Sequence, residues 1–141
     1  MAPVVLSVDL TALQTIELLI GFSNLTHEGK WRVPIRAIHE AVERLQTDYP
    51  DLLTDIWFEE YSIRPYSARI ELALATLGAT GFAEVSNPRY KSITVLDEHR
   101  AQFREHLASQ FPPEVISRAR QAAKQFDQAL IEHPLLQERA S

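Results

Sequence analysis

The chain has 141 residues, 45% of them hydrophobic and 23% charged, which is enough for one domain to bury its own core. It contains no cysteine, so a disulfide framework, a thiolate zinc site and a catalytic thiol are excluded. A formal net charge of −5 argues against a protein that coats nucleic acid by charge alone.

The run Val4 to Val8 reads as an edge strand or as a staple against the first helix. It resembles neither a secretory signal nor a membrane span, so a cytoplasmic protein with no membrane attachment is expected. Asp9 is the expected cap of the first helix. Leu10, Leu13, Ile16 and Ile20 share one side of that helix, and Leu18, Leu19 and Phe22 widen it. Residues 21 to 24 end the helix, and Trp31 to Val33 read as a brief strand. Pro34 suits the first turn of a second helix, which buries Ile35, Ile38, Val42 and Leu45. Tyr49-Pro50 closes it. Leu52 to Phe58 is apolar enough to be buried, with residues 56 to 61 extended or forming a turn of helix.

Ser67 is placed to cap a third helix, on which Ile70, Ala73, Leu74 and Leu77 share a face and which Gly78 or Gly81 ends. After Gly81 the period changes to two, over residues 82 to 85 and 90 to 95, about a turn at residues 86 to 89. A capped helix followed at once by a ribbon is the second half of a winged helix-turn-helix domain, with the helix in the recognition position. Asp97 is then expected to cap a fourth helix with Leu96, Phe103, Leu107 and Phe111 on one face. Pro112-Pro113 breaks it. Val115, Ala119, Ala122, Phe126 and Ala129 follow at steps of four and three, the spacing of a coiled-coil seam.

The expected fold class is therefore mainly α with a small β-hairpin (α+β). A winged helix-turn-helix domain at 1–96 is followed by a C-terminal antiparallel helical pair at 97–141. That pair is expected to make a homodimer through Phe103, Leu107, Val115, Ala119, Ala122 and Phe126, unless its helices pair within one chain.

Candidate chemistry is sparse. His39 and Glu43 lie four apart on a helix, but a glutamate stands where a zinc protease has its second histidine, and a solvated face is the expected reading. His99 and His106 are read in the same way. There is no glycine-rich phosphate loop, and Ser67 suits a cap better than a nucleophile. No catalytic residue, metal or cofactor is assigned, and the chain is not expected to be an enzyme.

Double-stranded DNA is the expected partner. Arg69 and Thr76 lie on the outward face of the third helix, Asn87, Arg89 and Lys91 lie near the wing tip, and Arg64 precedes the helix. Residues 59 to 96 hold 4 Lys/Arg against 4 Asp/Glu, the least acidic third of the chain. The same helix face carries Leu72, Ala75 and Ala79, which suits a protein partner because small side chains let another backbone approach. Trp31, Trp57, Phe58, Tyr61 and Tyr66 are expected in the core rather than stacked on bases.

The pattern from Phe58 to Val95, in which Pro65-Tyr66-Ser67 opens a helix ending Leu77-Gly78-Ala79-Thr80-Gly81 before a hairpin, resembles the prokaryotic winged-helix superfamily of small regulators. It is also similar, more faintly, to Panacea-type domains linked to toxin and antitoxin systems. The resemblance covers residues 9 to 96 and implies Arg69 on the recognition helix, with Arg89 and Lys91 on the wing. The function it implies is a dimeric, non-enzymatic DNA-associated regulator. The alternative is a winged-helix protein-interaction adaptor that binds no DNA.

Overall fold

The computed structural model describes residues 9–85 and 92–136. They form α1 (Ala12–Phe22), β1 (Lys30–Pro34), α2 (Ile35–Arg44), α3 (Ala68–Ala79), β2 (Glu84–Val85), β3 (Ser92–Leu96), α4 (Asp97–Gln110) and α5 (Pro113–Glu132), with a 3₁₀ turn at Pro50–Leu52. The chain is mainly helical with one small antiparallel sheet, ordered β1-β3-β2. The expected run at Val4 to Val8 and the hairpin turn with Asn87, Arg89 and Lys91 lie outside the described residues.

The sheet covers one side of the core. β1 pairs with β3 so that Trp31 faces Val95 and Val33 faces Ile93. With a side-chain period of two, those four point inward and are buried, while Lys30 and Arg32 face out. Residues 30 to 34 thus form the third strand expected of the Trp31–Val33 stretch. The indole N–H of Trp31 donates to Ser23 Oγ at 2.9 Å, which satisfies the one polar atom of a fully buried ring.

Several helix ends differ from expectation. Thr11, not Asp9, caps α1: its hydroxyl accepts from Gln14 N while the Gln14 side chain accepts from Thr11 N, a reciprocal capping box. Pro34 is the last residue of β1 and the N-cap of α2, one position earlier than a first-turn proline. Leu96 takes the N-cap of α4, and Asp97 turns its carboxylate to Arg100 and Thr26. Ser67 does cap α3, accepting from Ile70 N. Gly81, at φ +83°, makes the turn from α3 into β2, a left-handed conformation that glycine adopts without steric cost.

The C-terminal helices touch each other, but each packs more extensively on the helices that precede them. α5 packs along α1 and α2, and α4 packs mainly on α1. The seam of Val115, Ala119, Ala122 and Phe126 is completely buried within the single chain, and Leu107 is buried as well. Only Phe103, half-buried and packed on Phe82, retains accessible surface among the six residues assigned to a dimer. The alanines of the seam are buried where α5 packs on α1 and α2, and the core is continuous across Leu96.

Buried polar contacts fasten these helices. Arg100 of α4 is buried and donates to the carbonyls of Ser23 at 2.5 Å and Leu25 at 2.9 Å. Arg104 donates to Gly21 O at 2.7 Å. Two guanidiniums thus neutralise the carbonyl end of α1, where the helix dipole is negative. Gly21 permits the approach, since a Cβ there would lie 2.8 Å from Leu107 Cδ1. From α5, the Asp127 carboxylate accepts from Ser23 Oγ and from Asn24 N. Burial raises its pKa, and those two hydrogen bonds offset part of the rise. Arg118 closes the far end of α5 with two hydrogen bonds to Asp51 at 2.9 and 3.0 Å.

Candidate functional site

The long connection from Leu53 to Ser67 brings α3 to the surface and shapes everything around it. The connection doubles back where Glu59 N donates to Tyr66 O at 2.9 Å, so its tip projects. Tyr61 and Ile63 at that tip are fully exposed, and Trp57 and Tyr66 are also exposed. The core placement expected for these aromatics holds for Trp31, and Phe58 is half-buried; for Trp57, Tyr61 and Tyr66 it is incorrect. Their neighbours Glu59, Glu60 and Arg64 hold the segment in water, a signal that the flanking apolar residues masked.

α3 buries Ile70, Ala73, Leu74 and Leu77, the face its periodicity requires. Its outward face is Ala68, Leu72, Ala75 and Ala79, with Leu72 60% exposed. Beside this face runs an open groove of about 850 Å³ between α3 and β2. Leu72, Ala75, Gly78 and Ala79 form one side and Ala83 and Val85 the other, and Glu71 and Glu84 are the charged residues lining the groove among the described residues. The two elements meet closely at its base, where a Cβ on Gly78 would lie 3.2 Å from Val85 Cγ2.

The residues assigned to DNA divide sharply. Arg69 is tied back: its guanidinium lies 3.3 Å from Asp55 and 4.6 Å over the ring of Trp57. The Thr76 hydroxyl donates to Leu72 O within its own helix at 2.9 Å. Arg64 is exposed before the helix. Asn87, Arg89 and Lys91 lie outside the described residues. The outward surface of α3 therefore carries no basic side chain apart from the engaged Arg69.

His39 and Glu43, paired by spacing on α2, diverge. His39 is buried and stacked on Tyr66, with ring centroids 5.1 Å apart. Its Nδ1 accepts from Ser67 N at 3.1 Å, so Nε2 carries the proton donated to Glu71 Oε1 at 2.8 Å. One imidazole thus ties the start of α3 to α2 and fixes the Glu71 carboxylate at the groove. The Ser67 hydroxyl accepts from Ile70 N as the cap of α3, and it is the Ser67 backbone N–H that meets the ring. No cluster of three or more potential metal ligands occurs among the described residues. No helix among them is long and apolar enough to cross a membrane.

Comparison with protein-family models, with curated proteins and with solved structures finds no match to this chain.

Proposed function

We propose that this chain is a winged-helix protein-interaction adaptor whose recognition-position helix, α3, docks a protein partner. The order helix, strand, helix, helix and hairpin, with β3 central in the sheet, supports the winged-helix assignment. One observation carries the docking role. Of seven large hydrophobic side chains exposed among the described residues, five lie between Trp57 and Leu72, on α3 or the loop that enters it. Exposed apolar side chains gathered on one segment favour a contact surface more than the same residues scattered singly would. Arg69, the one cation on the helix, is engaged by Asp55.

A second reading is a cytoplasmic, dimeric DNA-associated regulator, favoured by the element order and by the exposed Arg64 beside α3. Asn87, Arg89 and Lys91 on the wing would supply its phosphate contacts. Fluorescence anisotropy with an arbitrary labelled duplex separates the two, because phosphate contacts give salt-dependent binding to any sequence. The adaptor reading expects no binding at low salt. Binding that falls with salt and is lost in an Arg89→Glu/Lys91→Glu variant replaces it with the regulator. For the adaptor itself, a protein captured by the full chain, then reconstituted from purified components, is expected to be released by Ala75→Arg. A captured protein indifferent to that change counts against docking through α3.

A further inference from the structure

We infer that the groove between α3 and β2 takes a cationic amphipathic helix, an inference that rests on the adaptor reading and specifies its partner. The shape selects a helix. α3 presents Leu72, Ala75 and Ala79 along two turns, about 10 Å at 1.5 Å per residue. Two helices approach to 8–10 Å between axes, the nearer figure where the contact residues are small, as these alanines are. β2 is an edge strand of the described sheet, and its two described residues, Glu84 and Val85, offer a short ladder for an added strand to bind through backbone hydrogen bonds.

The charge selects the partner's flanks. Among the described residues, both ionisable side chains lining the groove are acidic, Glu71 on the helix side and Glu84 on the strand side. The His39 Nε2–H bond at 2.8 Å holds Glu71 in place while its side chain stays partly open to solvent. A carboxylate fixed before binding loses less conformational freedom when a cation meets it. Lys or Arg side chains on either side of a small apolar stripe would meet Glu71 and Glu84 across the groove. A second copy of this chain is a poor occupant, since it brings the same two carboxylates and another net charge of −5.

The test is selection of random 16-residue peptides displayed on phage against the full chain, with Leu72→Glu and Glu71→Gln/Glu84→Gln as parallel targets. Each variant is first checked for a wild-type thermal transition. Gln at 71 still offers an oxygen to His39. Selected peptides are expected to carry apolar residues at steps of three and four flanked by Lys or Arg. Their affinity should fall about tenfold or more with Leu72→Glu and about tenfold with the double Gln variant. It should also weaken in high salt. Peptides sensitive to Leu72→Glu but without basic flanks, or indifferent to the double Gln variant, overturn the charge inference and leave the adaptor reading standing. No peptide sensitive to Leu72→Glu overturns both. Sedimentation of the unliganded chain as a dimer that Leu72→Glu dissociates assigns the groove to a second copy and overturns the inference.

Discussion

The Arg69 guanidinium lies 3.3 Å from Asp55 and stacks over Trp57, so the single cation of α3 is spent inside the molecule before any partner arrives. Asp55 also accepts from Ala12 N at 2.7 Å and so helps cap α1. Asp55→Ala should cost about 1–2 kcal/mol of stability, from a lost cap contact and a released ion pair. Urea unfolding measures this directly. Arg69→Ala should leave any duplex affinity unchanged, and a marked drop would mean that the pair opens to read DNA.

His39 links α2 to the first turn of α3 through one neutral tautomer. Replacing it with Phe keeps the ring and its stacking on Tyr66 but leaves Ser67 N–H without an acceptor. The expected loss is about 1–3 kcal/mol, the cost of an unsatisfied buried donor. Hydrogen exchange should locate it: amides at the start of α3 exchange faster while those of α1 keep their protection. Uniform acceleration would point to a general loss of stability instead.

Periodicity made α3, α5 and their buried faces legible, because the apolar spacing of Ile70, Ala73, Leu74 and Leu77, or of Val115, Ala119, Ala122 and Phe126, has one helical solution. It could not say what covers a seam. Alanines at three of five seam positions fit a twofold axis as well as they fit neighbouring helices of the same chain, and only the tertiary fold covers them with α1 and α2. Long-range polar pairs were equally hidden. Nothing local joins Arg69 to Asp55, Arg100 to the carbonyl of Ser23, or His39 to Glu71, since each partner sits 14 to 77 residues away. The acidic rim went unread because Glu71 and Glu84 come together only when α3 packs on β2.

Arg100 is the clearest case of a charged residue that holds the fold. It serves the carbonyls of Ser23 and Leu25 together with the Asp97 carboxylate. Arg100→Met fills similar space but takes the guanidinium from Leu25 O and leaves Ser23 O with Arg104 and the Asp97 carboxylate with Thr26, and about 3 kcal/mol should be lost. Arg100→Lys should recover only part, because an ammonium cannot reproduce the planar fork. Thermal melts of the two variants rank them, and equal melts would show that the fork geometry is immaterial.

The seam of α5 gives a test of whether residues 97–141 stand apart. Phe126 is completely buried against the rest of the chain, so Phe126→Ala should cost about 3–5 kcal/mol. A chain ending at residue 111 exposes the α1 surface that α5 covers and should lose its cooperative unfolding transition. A truncated chain that still melts cooperatively would show the first part to be an independent unit.

Glu17 on α1 provides a pH signature. Its pKa is raised, chiefly because burial disfavours the carboxylate, with the nearby His106 charge opposing. A group whose folded pKa lies above its unfolded value favours the fold when protonated, and that advantage fades as pH rises through the unfolded value to the folded one. Glu17→Gln removes the titration and keeps the shape. The variant should match wild type near pH 3, gain on it as pH rises from about 4, and hold a constant lead above the folded pKa. The difference in urea midpoint between the two proteins, followed from pH 3 to 7, gives the sign. A lead that shrinks with rising pH would mean that the carboxylate is held by a partner that favours its charge, with burial the lesser influence.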